Sequence, residues 1–519
     1  MNSEIELKLN VPPRAAKRVA RLPWLRELAS GPPKRHQLRT VYFDTRKLKL
    51  HDHGVVLRVR RADGRYLQSI KTRGSGENGP FGRGEWEYEL PGDAPDLKLA
   101  KETPLGRFGR RKLKRKLRPI FETVVERTTV PIRADGADLE LAIDLGHIKA
   151  RGVRQHERIA EIEIEVKDGD RLELPRIAKQ VARTITSTYG CRSKGDRGYA
   201  LSRKTLDAAV RGEEILLDER SRTGEAFRLI GFSCLEHALA NERAIRRGDT
   251  EGIHQMRIGL RRLRAAISVF KEISSGRETA AIKSELKWLA EQLGPARDLD
   301  VLIARQAQLL HDAPAFGADA DLLERDLKTR RQVGIAKARQ AMNSDRFRAI
   351  GLQVALWLAH GEWSRSDVAD INARLDRPVD EFAAEVLAKR KKKIIKRMRN
   401  LEQLDAHARH KLRIAVKKLR YACDFFATVF SGRKRDSRRR RLCKLLNRLQ
   451  SHLGTLNDIE VHKRFAHALA QNGGNTVTRS REALAMGFIT GQEAKQFVSC
   501  IASLKKDTSK LHRLPAYWK

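Results

Sequence analysis

The sequence predicts a multidomain protein of mixed α and β class, an N-terminal closed antiparallel β-barrel followed by a duplicated all-α region of two helical bundles. Three observations carry that prediction. Charged and apolar residues alternate along short segments of the first part of the chain, the period-2 signature of strands with one polar and one apolar face. After about Thr223 the Gly, Pro and Asp breakers thin out and a 3.6-residue periodicity runs almost to the end. Within that helical half, two motifs recur in the same order at nearly constant separation, the mark of a duplicated unit.

The opening segment Glu4-Ile5-Glu6-Leu7-Lys8 reads as a strand with Glu4, Glu6 and Lys8 on one face and Ile5, Leu7 and Leu9 on the other. Paired carboxylates supply the oxygen donors a divalent cation needs, and the ammonium suits a phosphate oxygen. The same alternation returns at Glu85-Trp86-Glu87-Tyr88-Glu89, from Glu140 to Asp144, and at Glu161-Ile162-Glu163-Ile164-Glu165. Between these lie strands whose polar face is cationic, with Arg58 and Arg60, with Lys71, and with Arg127. The segments Arg73-Gly74-Ser75-Gly76 and Leu90-Pro91-Gly92-Asp93 are turn punctuation. One such strand alone would be a half-solvated edge. Acidic and basic strands alternating in one region are explained if their charges converge inside a closed barrel, acids holding metal ions and bases a polyanion.

Residues 206–222 read as a linker, which sets domains at 1–205 and 223–515, the second made of repeats at about 223–375 and 376–515. His254-Gln255-Met256-Arg257 through Arg264 aligns with His410-Lys411-Leu412-Arg413 through Arg420, an offset of 410 − 254 = 156. Leu293-Gly294 through Asp298 aligns with Leu453-Gly454 through Asp458, an offset of 453 − 293 = 160, with both aspartates expected in turns. On a helix His254, Arg257, Arg261 and Arg264 fall within roughly 80° of arc. Met256, Leu260, Leu263, Ile267 and Phe270 form a separate apolar stripe. His410, Arg413, Lys417 and Arg420 repeat the arc, and Leu412, Val416, Leu419, Cys423 and Phe426 the stripe. Arg262 and Lys418 add a further base to each copy. A row of cations spaced at about 5 Å suits an extended anion with a regular charge repeat.

Lys and Arg total 106 against 65 Asp and Glu, a formal net charge of +41 that draws polyanions. Both halves carry the excess. Aromatic residues make up only 6% and do not interleave with the basic runs, so stacking recognition of single-stranded nucleic acid, and specific nucleic-acid binding generally, are not expected. The five cysteines have no Cys-x-x-Cys spacing, which argues against a disulfide framework or zinc site. Neither a signal-peptide h-region nor a membrane-spanning apolar run is visible, so a cytoplasmic protein without a membrane partner is expected.

The Glu-x-Glu-x-Lys opening, Tyr42-Phe43-Asp44-Thr45, Leu57-Arg58-Val59-Arg60, Arg83-Gly84-Glu85-Trp86-Glu87, the Glu161/Glu163/Glu165 strand and Ser193-Lys194 together resemble the CYTH superfamily of triphosphate tunnel metalloenzymes. That resemblance implies an eight-stranded antiparallel tunnel and hydrolysis of a triphosphate with Mg²⁺ or Mn²⁺. It implies metal ligation by Glu4, Glu6, Asp144, Glu161, Glu163 and Glu165, with Glu140 beside them. Catalytic roles fall to Glu4, Glu6, Lys8, Lys71, Glu85 and Glu87, and triphosphate binding to Lys8, Arg58, Arg60, Lys71, Arg83, Arg127 and Lys194. The helical half resembles the CHAD domain, a duplicated helical module that binds inorganic polyphosphate. This implies polyphosphate contacts from His254, Arg257, Arg261, Arg262, Arg264, His410, Arg413, Lys417, Lys418 and Arg420, and association with polyphosphate granules. A non-catalytic polyphosphate-binding protein is the alternative, and adenylate cyclase activity a weaker one. Oligomeric state is not legible.

Overall fold

The structure, a computed structural model, describes residues 5–72, 84–310, 317–364, 369–471 and 476–519. The chain divides into two units, residues 1–210 with 344–365, and residues 211–343 with 366–519.

The described residues of the first unit form nine strands, all but the two-residue last one following the period-2 alternation: β1 (Ile5–Asn10), β2 (Lys34–Thr45), β3 (Val55–Ala62), β4 (Arg65–Thr72), β5 (Glu85–Leu90), β6 (Leu117–Ala134), β7 (Ala137–Ala150), β8 (His156–Gly169) and β9 (Thr188–Tyr189). They form one sheet in the order β5-β4-β3-β2-β6-β7-β8-β1-β9, with every ladder antiparallel. The expected eight-stranded closed barrel is corrected: among the described residues there are nine strands, and β5 and β9 do not pair with each other. The physical reason is the short β9, which returns after a helix to pair with Leu9 and Asn10 and so takes up the outer edge of β1.

The sheet's apolar face is buried as the alternation requires. Leu7, Leu9, Leu57, Ile70, Leu141, Ile162 and Ile164 are all almost inaccessible. Short helices α1 (Pro13–Val19), α2 (Pro23–Leu28), α3 (Lys49–Asp52) and α4 (Arg110–Lys114), and the amphipathic α5 (Glu173–Thr184), pack in this unit. Helix α6 (Lys194–Ser202) starts at a capping box in which Ser193 Oγ accepts from Asp196 N while Asp196 accepts from Ser193 N, both at 3.1 Å. Gly198 lets α6 press onto the sheet, since a Cβ there would lie 2.0 Å from the Phe121 ring.

The second unit holds α7 (Thr223–Leu239), α8 (Glu242–Arg246), α9 (Thr250–Val269), α10 (Arg277–Gln292), α11 (Gly294–Leu310) and α12 (Gly317–Asn343). The next helix, α13 (Asp345–His360), lies in the helical half of the sequence but belongs to the first unit, where it packs against β9. Then α14 (Ala369–Asp376), α15 (Val379–Arg397), α16 (Ala406–Phe425), α17 (Arg433–Gln471) and α18 (Thr476–Arg513) complete the second unit. Helices α9 and α16 are each 20 residues long, capped at the N-terminus by Asp249 and Asp405 and ended by Phe270 and Phe426. The two phenylalanines pack together, ring centroids 5.9 Å apart, with Phe270 also 4.9 Å from Phe382. All ten residues of the two apolar stripes are buried. Asp298 and Asp458, expected in turns, are both helical: α11 starts at Gly294, and Gly454 sits inside the unbroken α17, where nothing crowds it. Residues 211–222 are strapped down, with Leu217 N–H donating to Thr428 Oγ1 and Thr428 Oγ1 donating to Leu217 O, each at 2.8 Å. Among the described residues no helix is long and apolar enough to cross a membrane.

Candidate functional site

Cross-strand register decides which charges share the sheet's polar face, because directly paired residues point the same way. One row runs Arg127–Asp144–Glu161–Asn10 across β6, β7, β8 and β1. The next runs Ala142–Glu163–Lys8, and the third Glu140–Glu165–Glu6. On the other side of the sheet Tyr42 pairs with Arg58 and Thr40 with Arg60. Arg58 then pairs with Ser69 and Val56 with Lys71, and Ser69 and Lys71 with Glu87 and Glu85. Every expected residue on the described strands therefore lies on one face. Glu4 and Arg83 lie outside the described residues.

The centre is a carboxylate triad. Asp144, Glu161 and Glu163 offer oxygens within 4.8 Å of one another, with Asp144 and Glu161 fully buried. Four cations close on them. Lys194 Nζ, from the first turn of α6, lies 2.6 Å from Asp144 and 2.9 Å from Glu163 and also donates to Glu161. Arg127 grips Asp144 with two bonds of 2.7 and 2.6 Å and reaches Glu163 at 2.5 Å. Lys8 stands 3.0 Å from Glu163, and Arg197, one turn along α6, donates to Glu161. Burial alone would push the Glu163 carboxyl up, but Lys194, Lys8 and Arg127 outweigh it and hold the group well below the usual range. Asp144 is lowered for the same reasons, burial being overcome chiefly by Lys194 and Arg127. Conversely Lys8, Arg127 and Lys194 are all raised, despite burial, by these acids.

A second cluster lies across the face. Lys71 Nζ is 2.6 Å from Glu85, Arg58 is 3.4 Å from Glu85, and Ser69 Oγ donates to Glu87 at 2.8 Å. Arg60, like Arg58 and Arg197, has a buried Nε that meets no hydrogen-bond partner among the described residues. Arg58, then burial, then Arg127 pull its guanidinium down to about 10. The third row is more open: the Glu6 side chain is 43% exposed and 3.9 Å from Lys8, and Glu165 pairs with Lys167 at 2.7 Å.

Of the expected metal ligands, the structure thus brings Asp144, Glu161 and Glu163 together and leaves Glu6 and Glu165 in the neighbouring, more accessible row. The sequence reading passed over Arg197 and gave Tyr42, named only within a motif, no role. Arg197 follows Lys194 by three residues behind a Ser-x-x-Asp cap, a spacing that places both on one helix face. Tyr42 carries no charge to draw notice, yet after burial it is the largest influence on Arg58, which it helps hold above its ordinary value.

In the second unit the two basic rails do not act as single rows. Arg257 donates to Ala290 O at 3.1 Å and stands 3.6 Å from Asp298. Arg261 Nε donates to Tyr421 OH at 2.6 Å, which joins α9 to α16. Burial and Arg261 lower Arg413, and burial, Arg413 and Arg261 take Lys417 to about 7. His254 is lowered by burial and Arg297, and Asp298 is raised by burial and by Asp458. His410 Nδ1 meets Asn457 Oδ1 at 3.0 Å. Arg257 and Arg264 line a cavity of about 470 Å³ with Lys287, Gly294 and Asp298. Three expected residues turn elsewhere: Arg262 donates to His237 Nδ1 at 3.4 Å, Arg420 to Asp424 at 3.1 Å, and Lys418 stands among Arg390, Lys393, Arg264 and Arg397.

Residues 2–199 match the CYTH domain family and residues 230–467 the CHAD domain family. Over 238 residues the chain is 30% identical to an inorganic triphosphatase of Haemophilus influenzae, which covers 44% of this chain and 63% of that protein. Over 116 residues it is 33% identical to an uncharacterised protein of Mycobacterium tuberculosis, 22% of this chain and 23% of that one. The chain spans less than two thirds of the length of these relatives. The crystal structure of the CHAD domain from the plant Ricinus communis is 30% identical and superposes with a TM-score of 0.50, covering 60% of this chain and 98% of that chain.

Proposed function

Because the chain belongs to the CYTH family over residues 2–199 and to the CHAD family over residues 230–467, we propose that its first unit hydrolyses a triphosphate and its second binds inorganic polyphosphate. The observation that carries the first part is Arg60, a buried guanidinium crowded by Arg58 and Arg127 with its Nε unpartnered among the described residues. Burying such a group is costly without an anion. A phosphate chain lying along this face would receive Arg58, Arg60 and Lys71 from one side and Arg127, Lys8 and Lys194 from the other, which fixes its position for in-line attack.

The Asp144, Glu161 and Glu163 triad fits a divalent ion by its chemistry, since three hard carboxylate oxygen donors lie within 4.8 Å of one another. These residues would hold Mg²⁺ or Mn²⁺, with Glu6 and Glu165 as nearby acids. When bound, the ion supplies Lewis-acid polarisation of a phosphoryl oxygen and orients water. Lys194 and Arg127, which neutralise the triad here, are the groups that pass between carboxylate and phosphate oxygens. No step calls for a covalent nucleophile.

The proposal for the second unit rests on the convergence of Arg257, Arg261, Arg413 and Lys417 from α9 and α16. A second reading of the first unit, as a binding module without turnover, is favoured by the saturation of the triad by four cations. One experiment separates them. The purified chain is incubated with tripolyphosphate, ATP or thiamine triphosphate and Mg²⁺ or Mn²⁺, and phosphate, cyclic AMP and thiamine diphosphate are followed. Metal-dependent phosphate release supports the enzyme, and binding without release supports the module.

A further inference from the structure

The sheet's outer face carries a basic cluster that the triphosphate site does not use. Register pairs His147 with Arg158 and Lys149 with His156, so all four side chains leave β7 and β8 on the same face. Asp144 and Glu161 are each three positions away, hence on the opposite face. The His147 and His156 rings are stacked, with centroids 5.6 Å apart and planes at 20°. A surface cavity of about 370 Å³ opens here, lined by Pro13, Leu145, His147, His156, Arg158 and Ile159. His147 Nε2 is buried and, among the described residues, meets no hydrogen-bond partner.

We propose that this cavity is a second anion site, in which His147, His156, Arg158 and Lys149 take a phosphate-class oxyanion such as pyrophosphate. The argument is electrostatic and geometric. A guanidinium and an ammonium stand beside two imidazoles on a chain that is already strongly cationic, and an oxyanion offsets that positive charge while giving Nε2 a partner. Two acids of the adjoining β6 share this face, Glu122 opposite Lys149 and Glu126 opposite Leu145; Glu122 is held by Arg39 at 2.8 Å and Glu126 accepts from Gln37 at 3.4 Å. Burial, then Lys149 and His156, lower the His147 imidazole, and the opposing pull of Glu122 does not offset them. A metal is the poorer occupant. The two histidines stand beside two fixed cations, and among the described residues the only group of three or more candidate ligands is Asp144, Glu161 and Glu163. The site is independent of the triphosphate reading, since it lies on the other face.

The test uses the full chain with its histidine Cε1 positions isotopically labelled, His147 and His156 being assigned through His147→Gln and His156→Gln. These two resonances report on this cavity alone, whatever else the anion binds. Pyrophosphate in the millimolar range shifts both saturably, and Arg158→Ala, an exposed substitution that leaves tripolyphosphate turnover unchanged, weakens that binding on the order of tenfold. A parallel titration with long-chain polyphosphate tells a free diphosphate from a chain end, and saturable shifts with either support the site. Shifts that never saturate, equal affinity in Arg158→Ala, or a response to Zn²⁺ but to neither anion would overturn it.

Discussion

Glu163 is the acid on which three cations of the charged face converge, being within salt-bridge distance of Lys8, Arg127 and Lys194 at once. Removing its charge leaves buried cations undercompensated, so Glu163→Gln is expected to lower the stability of the first unit by about 3 kcal/mol in thermal or urea unfolding. Its folded pKa is depressed from an ordinary 4.5. The stabilisation is therefore fully present above that value and is lost as pH falls below it, through the folded pKa. The wild-type unit should destabilise below pH 4.5, and the variant should show a flatter acid limb. Lys417 gives the opposite kind of prediction. Burial and its arginine neighbours hold it near 7, so it is mostly neutral at pH 8. Polyphosphate favours the charged form, and binding at pH 8 should take up protons, measurable by calorimetry in buffers of different ionisation heat. Lys417→Arg should abolish most of that uptake. The identities of these residues were legible because charge alternating with apolar residues marks a strand face. Their pairing was not, since Lys194 reaches the triad from a helix and register is a long-range property.

Helix α6 is the element that turns a charged sheet into a site. It brings Lys194 and Arg197 to the triad and is held by its capping box and by the contact of Gly198 with Phe121. Adding a methyl at Gly198 forces the helix outward, so Gly198→Ala is expected to cost roughly 1–3 kcal/mol and to raise KM for triphosphate as the two cations withdraw. Unchanged KM with a folded protein would show that α6 does not position them. Strand alternation and the paired apolar stripes of α9 and α16 could be read directly, because period-2 and period-3.6 patterns are local. The two-residue β9 could not, as Thr188 and Tyr189 carry no pattern. Nor could the helical state of Asp298 and Asp458, which were expected in turns.

At the scale of the whole molecule, one helix departs from the order of the chain. Helix α13, far along the chain, packs with the first unit through β9, and β9 in turn borders β1. Gly190 N–H donates to Lys8 O at 2.8 Å, so this edge also steadies a cation of the site. A fragment ending at residue 210 should therefore unfold at a lower temperature than one in which residues 344–365 are fused to it. Equal melting temperatures would mean that α13 contributes nothing there. A sequence pattern could not reveal this, because α13 has the same helical periodicity as its neighbours. The central claim, that the buried cations of the sheet's polar face bind a triphosphate for metal-dependent hydrolysis, is tested most directly at Arg60. Phosphate release from tripolyphosphate by the full chain with Mg²⁺ or Mn²⁺ should be abolished by chelation, and Arg60→Ala should reduce kcat by about 10²–10³-fold, the usual cost of losing one preorganised electrostatic donor. Absence of release with either metal, or an Arg60→Ala variant with wild-type turnover, would contradict it.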